Sequence, residues 1–199
     1  KPWELRGDFS GPVLLVEKPD LVVAADASLY DRAGLTRALA EAGVTPDGFS
    51  PTELIEAAYR AWGPALAEHL GAKIYIPHLS TRMALDEVRR WRKRYDKVYV
   101  ETCPHYLTHD EDSDLGGIGK ANPPFRSADD VAAMWEGLAD GSIDVVASDH
   151  VPRKRSTKEK PLWQASQGFP GTATILPVLM DQGYHKGRLG LQRIAQLIS

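Results

Sequence analysis

Short apolar runs alternate with longer helical segments along the sequence, and this alternation restricts the possible folds more than any other feature. The runs that predict buried strands are Pro12 to Val16, Lys73 to Pro77, Lys97 to Glu101 and Ile143 to Ser148. They are short, apolar and rich in β-branched or aromatic residues, as the strands of parallel sheets tend to be. The run from Leu21 to Ala25 fits a strand or a helix. Strands that alternate with helices form βα units, so the sequence predicts an α/β fold with a parallel sheet.

Capping residues mark the starts and ends of the helical segments. Ser50 and Glu53 have the spacing of a capping box, with a proline between them at the first helical position, and Gly71 is expected to end that helix. Ser127 and Asp130 repeat the pattern. Further helices are predicted over Arg82 to Tyr95, Ser127 to Gly141, Ala173 to Gln182 and Leu191 to Ser199.

The number of strands limits the choice of architecture. Alternating strands and helices fit either a doubly wound sheet or part of a (β/α) barrel, and a closed barrel needs eight strands and about 250 residues. The chain has 199 residues and four clear strand signals, and it does not begin with Met. We therefore expect residues 1–199 to be one partial barrel domain, with about strands five to eight, and the other half upstream. Such an open half is expected to be unstable alone or to pair with its missing half or another copy.

Charge and composition exclude several classes of protein. A net charge of -3 does not fit a nucleic-acid-binding protein, and no apolar run approaches the length of a membrane span. The basic run Arg89 to Arg94 is interpreted as the solvated face of a helix, because Trp91 and its apolar neighbours form a separate stripe. Cys103 is the single cysteine, which excludes an intrachain disulfide and favours a reducing compartment. We expect a cytoplasmic protein without nucleic-acid or membrane partners.

Two of the predicted strands lead directly into residues that can bind metal or transfer protons. His78 follows the run that ends at Pro77, and Asp149 follows the run that ends at Ser148. In a barrel, the carboxyl ends of the strands open onto one face, so these two side chains could converge there. Imidazole nitrogen and carboxylate oxygen both suit Zn²⁺ or a similar ion. A hydrogen-bonded structural histidine and a capping aspartate are the alternative interpretations of the same residues.

Five segments together resemble one family. They are His78-Leu79-Ser80-Thr81, the ETCPHYL stretch at 101–107, KANPPFR at 120–126, VASDHVP at 146–152 and GFPGT at 168–172. Their sequences and order resemble the cyclic amidohydrolases, which include dihydroorotases, hydantoinases and allantoinases. The ETCPHYL stretch is more similar to allantoinases and some hydantoinases, whereas KANPPFR is more similar to dihydroorotases. The substrate therefore stays open among these cyclic amides and ureides.

The resemblance implies a TIM-like (β/α)8 barrel that hydrolyses a C–N bond of a small cyclic amide with metal-activated water. It implies one or two metal ions, Zn²⁺ or another divalent ion, with His78 and Asp149 as ligands and Asp149 as the general base. It places Asn122 near the substrate ring and the 168–171 segment over the site. His105 is expected to contact substrate or support the site, and Arg153 either pairs with an anionic substrate group or is solvated. Family members often form homo-oligomers, which we also expect here.

One position departs from the family pattern. The family carries a metal-ligating His at the end of its fifth strand, and alignment on Glu17 and Asp20 places Leu15 at that position. A leucine cannot bind metal, although Glu17 is a candidate substitute. Leu15 therefore motivates an alternative: a catalytically inactive amidohydrolase-like domain that acts as a binding or assembly partner. A phosphate-binding α/β protein is a weaker alternative, since the sequence contains neither GxGxxG nor a P-loop.

Overall fold

The computed structural model describes residues 14–18, 21–25, 32–48, 51–62, 65, 68, 71 and 73–199. The chain divides into two compact units, Lys1–Ala72 and Lys73–Ser199. No helix among the described residues is long and apolar enough to span a bilayer.

The described residues of the first unit include a β-hairpin and the helices Arg32–Glu41 and Pro51–Trp62. Strand β1 (Leu14–Lys18) pairs antiparallel with β2 (Leu21–Ala25), so the expectation of a parallel strand at the first apolar run was wrong. The physical reason is the connection: two residues can join antiparallel strands, whereas parallel strands need a crossover of a dozen or more. The ambiguous run 21–25 is a strand.

The helices of the first unit differ from the sequence prediction at two points. Helix α1 (Arg32–Glu41) was not predicted. Helix α2 (Pro51–Trp62) begins as the capping signature indicates, with Ser50 itself outside the described residues, but it ends well before Gly71. Gly63 and Pro64 follow in the sequence, and this pair disfavours helix continuation. The two helices share an apolar core made of Leu35, Leu39, Leu54, Ala57 and Ala58.

The second unit is built on a three-stranded parallel sheet. Its order is β3 (Ile74–Ile76), β4 (Val98–Thr102) and β5 (Val145–Val146). Both neighbouring pairs are parallel, which confirms the prediction for these three runs. Alternate residues of β4 are buried, so Tyr99 and Glu101 point to the opposite face.

Helices cover the buried face of this sheet. Helix α3 (Arg82–Arg92) is capped by Thr81, whose hydroxyl accepts a bond from the Ala84 N–H. Helix α4 (Ala128–Asp140) has the predicted capping box and ends at Gly141, where φ is +87°. The left-handed φ at this position favours glycine. The main core lies between these helices and the sheet, with Leu85, Val98, Val100, Met134, Leu138 and Ile143 among its fully buried members.

Shorter helical elements complete the second unit. They are the 3-10 turns Pro104–Leu107, Gly116–Gly119 and Thr172–Thr174, α5 (Arg155–Lys158), α6 (Ile175–Val178), a π-helical stretch Leu179–Tyr184 and α7 (Leu191–Leu197). The last two predicted helices, 173–182 and 191–199, are therefore helical in the structure.

Two arginines donate hydrogen bonds to backbone carbonyls at the amino-terminal edge of the sheet. The Arg92 guanidinium donates to the Val98 carbonyl at 2.7 Å and to the Ser142 carbonyl at 3.0 Å. Arg193 donates to the carbonyls of Leu138 at 2.8 Å and Ile143 at 2.6 Å. Carbonyl groups that precede β4 and β5 thus have charged donors, which stabilises this edge.

Candidate functional site

The two residues predicted to bind metal lie at the carboxyl-terminal edge of the parallel sheet. His78 follows β3 and Asp149 follows β5, so the end of β4 lies between them. Two strand spacings correspond to about 10 Å between their backbones. His78 has φ +40° and Asp149 has φ +42°, and among the described residues these are the non-glycine residues with positive φ. Such conformations cost about 1–3 kcal/mol each and concentrate at functional sites.

Glu101 connects this edge to His78. Its carboxylate accepts a 2.5 Å bond from the Tyr75 hydroxyl and a 3.4 Å bond from the His78 backbone N–H. The Leu79 N–H donates to the Glu101 carbonyl at 2.7 Å, which fixes the chain directly after His78. Sequence reasoning missed Glu101 as a site residue. The signal was present in the alternation of β4, which places a carboxylate on the face opposite the core.

His105 is a buried histidine whose ring nitrogens have no hydrogen-bond partner among the described residues. It is 3% exposed, and both ring nitrogens are buried and unbonded. Burial, followed by the charges of His109 and His78, lowers its pKa to about 4. The imidazole is therefore neutral at pH 7, with one free donor and one free acceptor. Its ring lies 5.4 Å from the Phe169 ring, between centroids. Unsatisfied buried polar atoms of this kind are rare and suit a ligand contact.

Cys103 has the environment of a structural thiol. The residue is fully buried, and burial and the Glu101 carboxylate raise the pKa of its thiol. A protonated thiol is a poor nucleophile. The interpretation of Cys103 as a small buried side chain therefore fits its surroundings.

The 168–172 segment packs on the chain that follows β5. The Gly171 N–H donates to His150 Nδ1 at 3.1 Å, and the Val151 N–H donates to the Phe169 carbonyl at 3.0 Å. A Cβ added at Gly171 would lie 2.0 Å from the Ser148 carbonyl oxygen, so only glycine allows this approach. The segment is thus held against the residues on both sides of Asp149.

The remaining predicted residues lie on loops. Asn122 is exposed, and the next residue, Pro123, accepts a 2.6 Å bond from the buried Tyr106 hydroxyl. This bond joins the Asn122 loop to the turn that carries His105. Arg153 is exposed, and its Nε donates to the Gln167 carbonyl at 3.1 Å. Of the predicted residues, His78 lies close enough to His105 for its charge to lower the pKa of that imidazole. Arg153 instead contacts the backbone of Gln167.

The described residues do not form a complete metal site. His78 and Asp149 are donors of the right chemical type, but no group of three His, Cys, Asp or Glu side chains is arranged to hold a metal in the described ranges. A catalytic zinc normally has three protein ligands. The structure does not describe the side chains of Leu15 and of the candidate substitute Glu17.

Comparison with known proteins finds relatives among the cyclic amidohydrolases. No family model matches the chain. The dihydroorotase of Trichlorobacter lovleyi is 40% identical over 154 residues, which cover 71% of this chain and 36% of that protein. The dihydroorotase of Halobacterium salinarum is 37% identical over 183 residues, covering 88% of this chain and 40% of that protein. The crystal structure of dihydropyrimidinase from Brevibacillus agri superposes with a TM-score of 0.62 at 28% identity, over 84% of this chain and 39% of that one.

These likenesses support a cyclic amidohydrolase family for the chain. The expected fold class, part of an α/β barrel, is confirmed by the parallel sheet with its helices and by the likeness to the solved structure. The chain spans about two fifths of the length of the curated relatives it matches.

Proposed function

We propose that the protein containing this chain hydrolyses a C–N bond of a small cyclic amide or ureide. The observation that carries the proposal is the pair His78 and Asp149, both with left-handed backbones at the carboxyl-terminal edge of one parallel sheet. The similarity to proteins named dihydroorotase and dihydropyrimidinase supports the same reaction class. Whether the ring is a dihydroorotate, a hydantoin or allantoin is left to experiment.

In this proposal His78 and Asp149 contribute to holding one or two divalent ions, with further ligands from outside the described residues. An ion held by these residues would supply a water of lowered pKa, toward about 7 in the case of Zn²⁺. Asp149 takes the proton of the attacking water and passes it to the leaving ring nitrogen. The first transfer requires the ionised aspartate and the second requires the protonated one, so one carboxyl group serves both halves of the reaction.

The neutral residues of the site are proposed to orient the ring. His105 offers one N–H donor and one acceptor, which matches the adjacent C=O and N–H of a cyclic amide or ureide. Asn122 can offer a side-chain amide with the same two functions. Arg153 is proposed to attract an anionic substrate group, with its remaining N–H donors beside the one bound to Gln167.

Leu15 favours a second candidate, an inactive amidohydrolase-like domain that binds or assembles with a partner. A site that lacks one expected ligand loses affinity for at least one ion. The two candidates differ in metal content and in turnover, so one experiment separates them.

The experiment compares the full-length protein with its Asp149→Asn variant. Metal per chain is measured by elemental analysis, and ring opening is assayed with dihydroorotate, hydantoin and allantoin. We expect one or two equivalents of metal and hydrolysis of at least one ring, with a loss of about 10³-fold in kcat in the variant. A full-length protein that stays free of metal after reconstitution and opens none of the rings would establish the inactive alternative instead.

A further inference from the structure

A buried lysine joins two loops beside the candidate site. Lys158 is 6% exposed, and its ammonium donates to the Lys120 carbonyl at 2.8 Å and the Gly168 carbonyl at 2.9 Å. Burial lowers its pKa, as do the positive charges of Lys120 and Arg153, and in the described part of the chain no carboxylate opposes this effect. Burial of an ammonium without an anionic partner costs free energy, and the two hydrogen bonds to carbonyls offset part of that cost.

The backbones of the same segments approach each other closely. The Gly168 N–H donates to the Lys120 carbonyl at 3.1 Å, and the Ser166 N–H donates to the Thr157 carbonyl at 2.9 Å. A Cβ added at Gly117 would lie 2.6 Å from the Lys158 carbonyl oxygen. We call these three segments, 116–122, 154–160 and 166–172, the loop junction. The Lys158 ammonium is its charged link, because it bonds both of the other segments at once.

Two segments of the loop junction, 116–122 and 166–172, lead to the candidate site. The first segment carries Asn122, which follows Lys120 by two positions. The second segment carries Phe169 and Gly171, which bond the backbone of Val151 and the ring of His150. Through the ammonium, the loop with the proposed substrate amide is tied to the segment packed beside Asp149.

We propose that Lys158 is a positioning residue that fixes the Asn122 loop relative to Asp149 and thereby sets substrate affinity. This inference rests on the proposed hydrolase function. Lys158 contacts backbone carbonyls and no reacting atom, so its replacement should weaken ring binding more than it slows bond cleavage. Removal of both bonds leaves the Lys120 carbonyl with the Gly168 N–H as donor and takes the ammonium donor away from the Gly168 carbonyl.

The test uses the full-length protein with Lys158→Met, Lys158→Arg and the exposed control Lys160→Met. Lys158→Met keeps the length and removes the donors, whereas Lys158→Arg retains donors in the same place. In Lys158→Met we expect KM to rise about tenfold while kcat changes less than about threefold, with partial recovery in Lys158→Arg and wild-type values in Lys160→Met. Amide hydrogen exchange should accelerate within 116–122 and 166–172 in Lys158→Met alone.

Three results would overturn the inference: unchanged exchange at the loop junction, faster exchange throughout 73–199, or a fall in kcat at constant KM. The exchange measurement needs no substrate. If the wild-type protein opens no ring, the proposed hydrolase function fails, and with it the role in substrate affinity, while exchange still decides whether Lys158 orders these loops.

Discussion

The two edges of the three-stranded sheet differ in how fully their polar groups are satisfied. At the amino-terminal edge, Arg92 and Arg193 donate to the carbonyls that lead into β4 and β5. At the carboxyl-terminal edge, His78 and Asp149 have left-handed backbones and His105 has two unbonded ring nitrogens. The first edge contributes stability, whereas the second holds strain and unused hydrogen-bonding capacity. In barrels of this type, function resides at the carboxyl-terminal face and stability at the other.

Removal of the Arg92 guanidinium should produce the largest loss of stability. Arg92→Ala leaves the Val98, Gly141 and Ser142 carbonyls without their charged donor and also breaks the ion pair with Asp144. We expect the free energy of unfolding to fall by about 2–3 kcal/mol. Chemical denaturation of the full-length protein measures this change.

Arg90 on the same helix provides a matched control. It is exposed and pairs only with Glu87, at 2.8 Å, among the contacts that the structure describes. Arg90→Ala should therefore change the unfolding free energy by less than about 0.5 kcal/mol. Equal losses for the two variants would remove the distinction between a satisfied edge and an exposed helix face.

A methyl group at Gly171 should reduce activity by disturbing the carboxyl-terminal edge of the sheet. The new Cβ would collide with the Ser148 carbonyl, so the 168–172 segment must move away from the chain beside Asp149. For Gly171→Ala we expect kcat/KM to fall about tenfold or more, because displacement near 1 Å misplaces the site. Steady-state kinetics measure this loss, with Gly190→Ala as a control since a Cβ there meets nothing within 4 Å. Unchanged kinetics in Gly171→Ala would show that this segment is remote from the reaction.

Replacement of His105 by Phe should have opposite effects on stability and on activity. The phenyl ring of the variant can keep the packing with Phe169, and it removes two buried nitrogens that have no hydrogen-bond partner among the described residues. The free energy of unfolding at pH 7 should therefore rise by up to about 1 kcal/mol. Ring hydrolysis should slow. A loss of stability at pH 7 would indicate that His105 serves the fold instead.

The same variant should alter acid sensitivity. The folded-state pKa of about 4 lies below the unfolded value of 6.5, so the unfolded chain binds more protons between these pH values. Stability contributed by neutral His105 is present above pH 6.5 and is lost as the pH falls toward 4. His105→Phe should flatten this decline, measured by thermal unfolding across pH 4 to 7, whereas the exposed His185→Phe should retain it.

Local signals account for what the sequence predicted correctly. The capping box at Ser127 and the glycine at 141 act within one helix, and both appear as predicted. His78 and Asp149 were predicted as site residues because each directly follows an apolar run, and the structure places both at the same edge of the sheet. The hairpin was missed because strand composition does not specify a pairing partner, although the two-residue connection between 18 and 21 was visible.

Contacts between distant residues explain what the sequence did not predict. Lys158 stands in a basic loop that resembles any solvated charged segment, and only the approach of Lys120 and Gly168 buries its amine. Glu101 became visible as a site residue only when Tyr75 and His78 were placed around it. Sequence separation in these contacts ranges from 10 to 38 positions, beyond the reach of helical or strand periodicity.

The sheet face that carries Tyr75 and Tyr99 has a practical consequence for handling this protein. Tyr75 and Tyr99 stand opposite each other in the β3–β4 register and are 52% and 41% exposed. Exposed aromatic side chains that lie side by side contribute to an apolar surface patch, and such patches favour association. Recombinant samples of this chain should therefore be prepared dilute, with a solubilising fusion partner, and checked by light scattering before any assay of the kind described above.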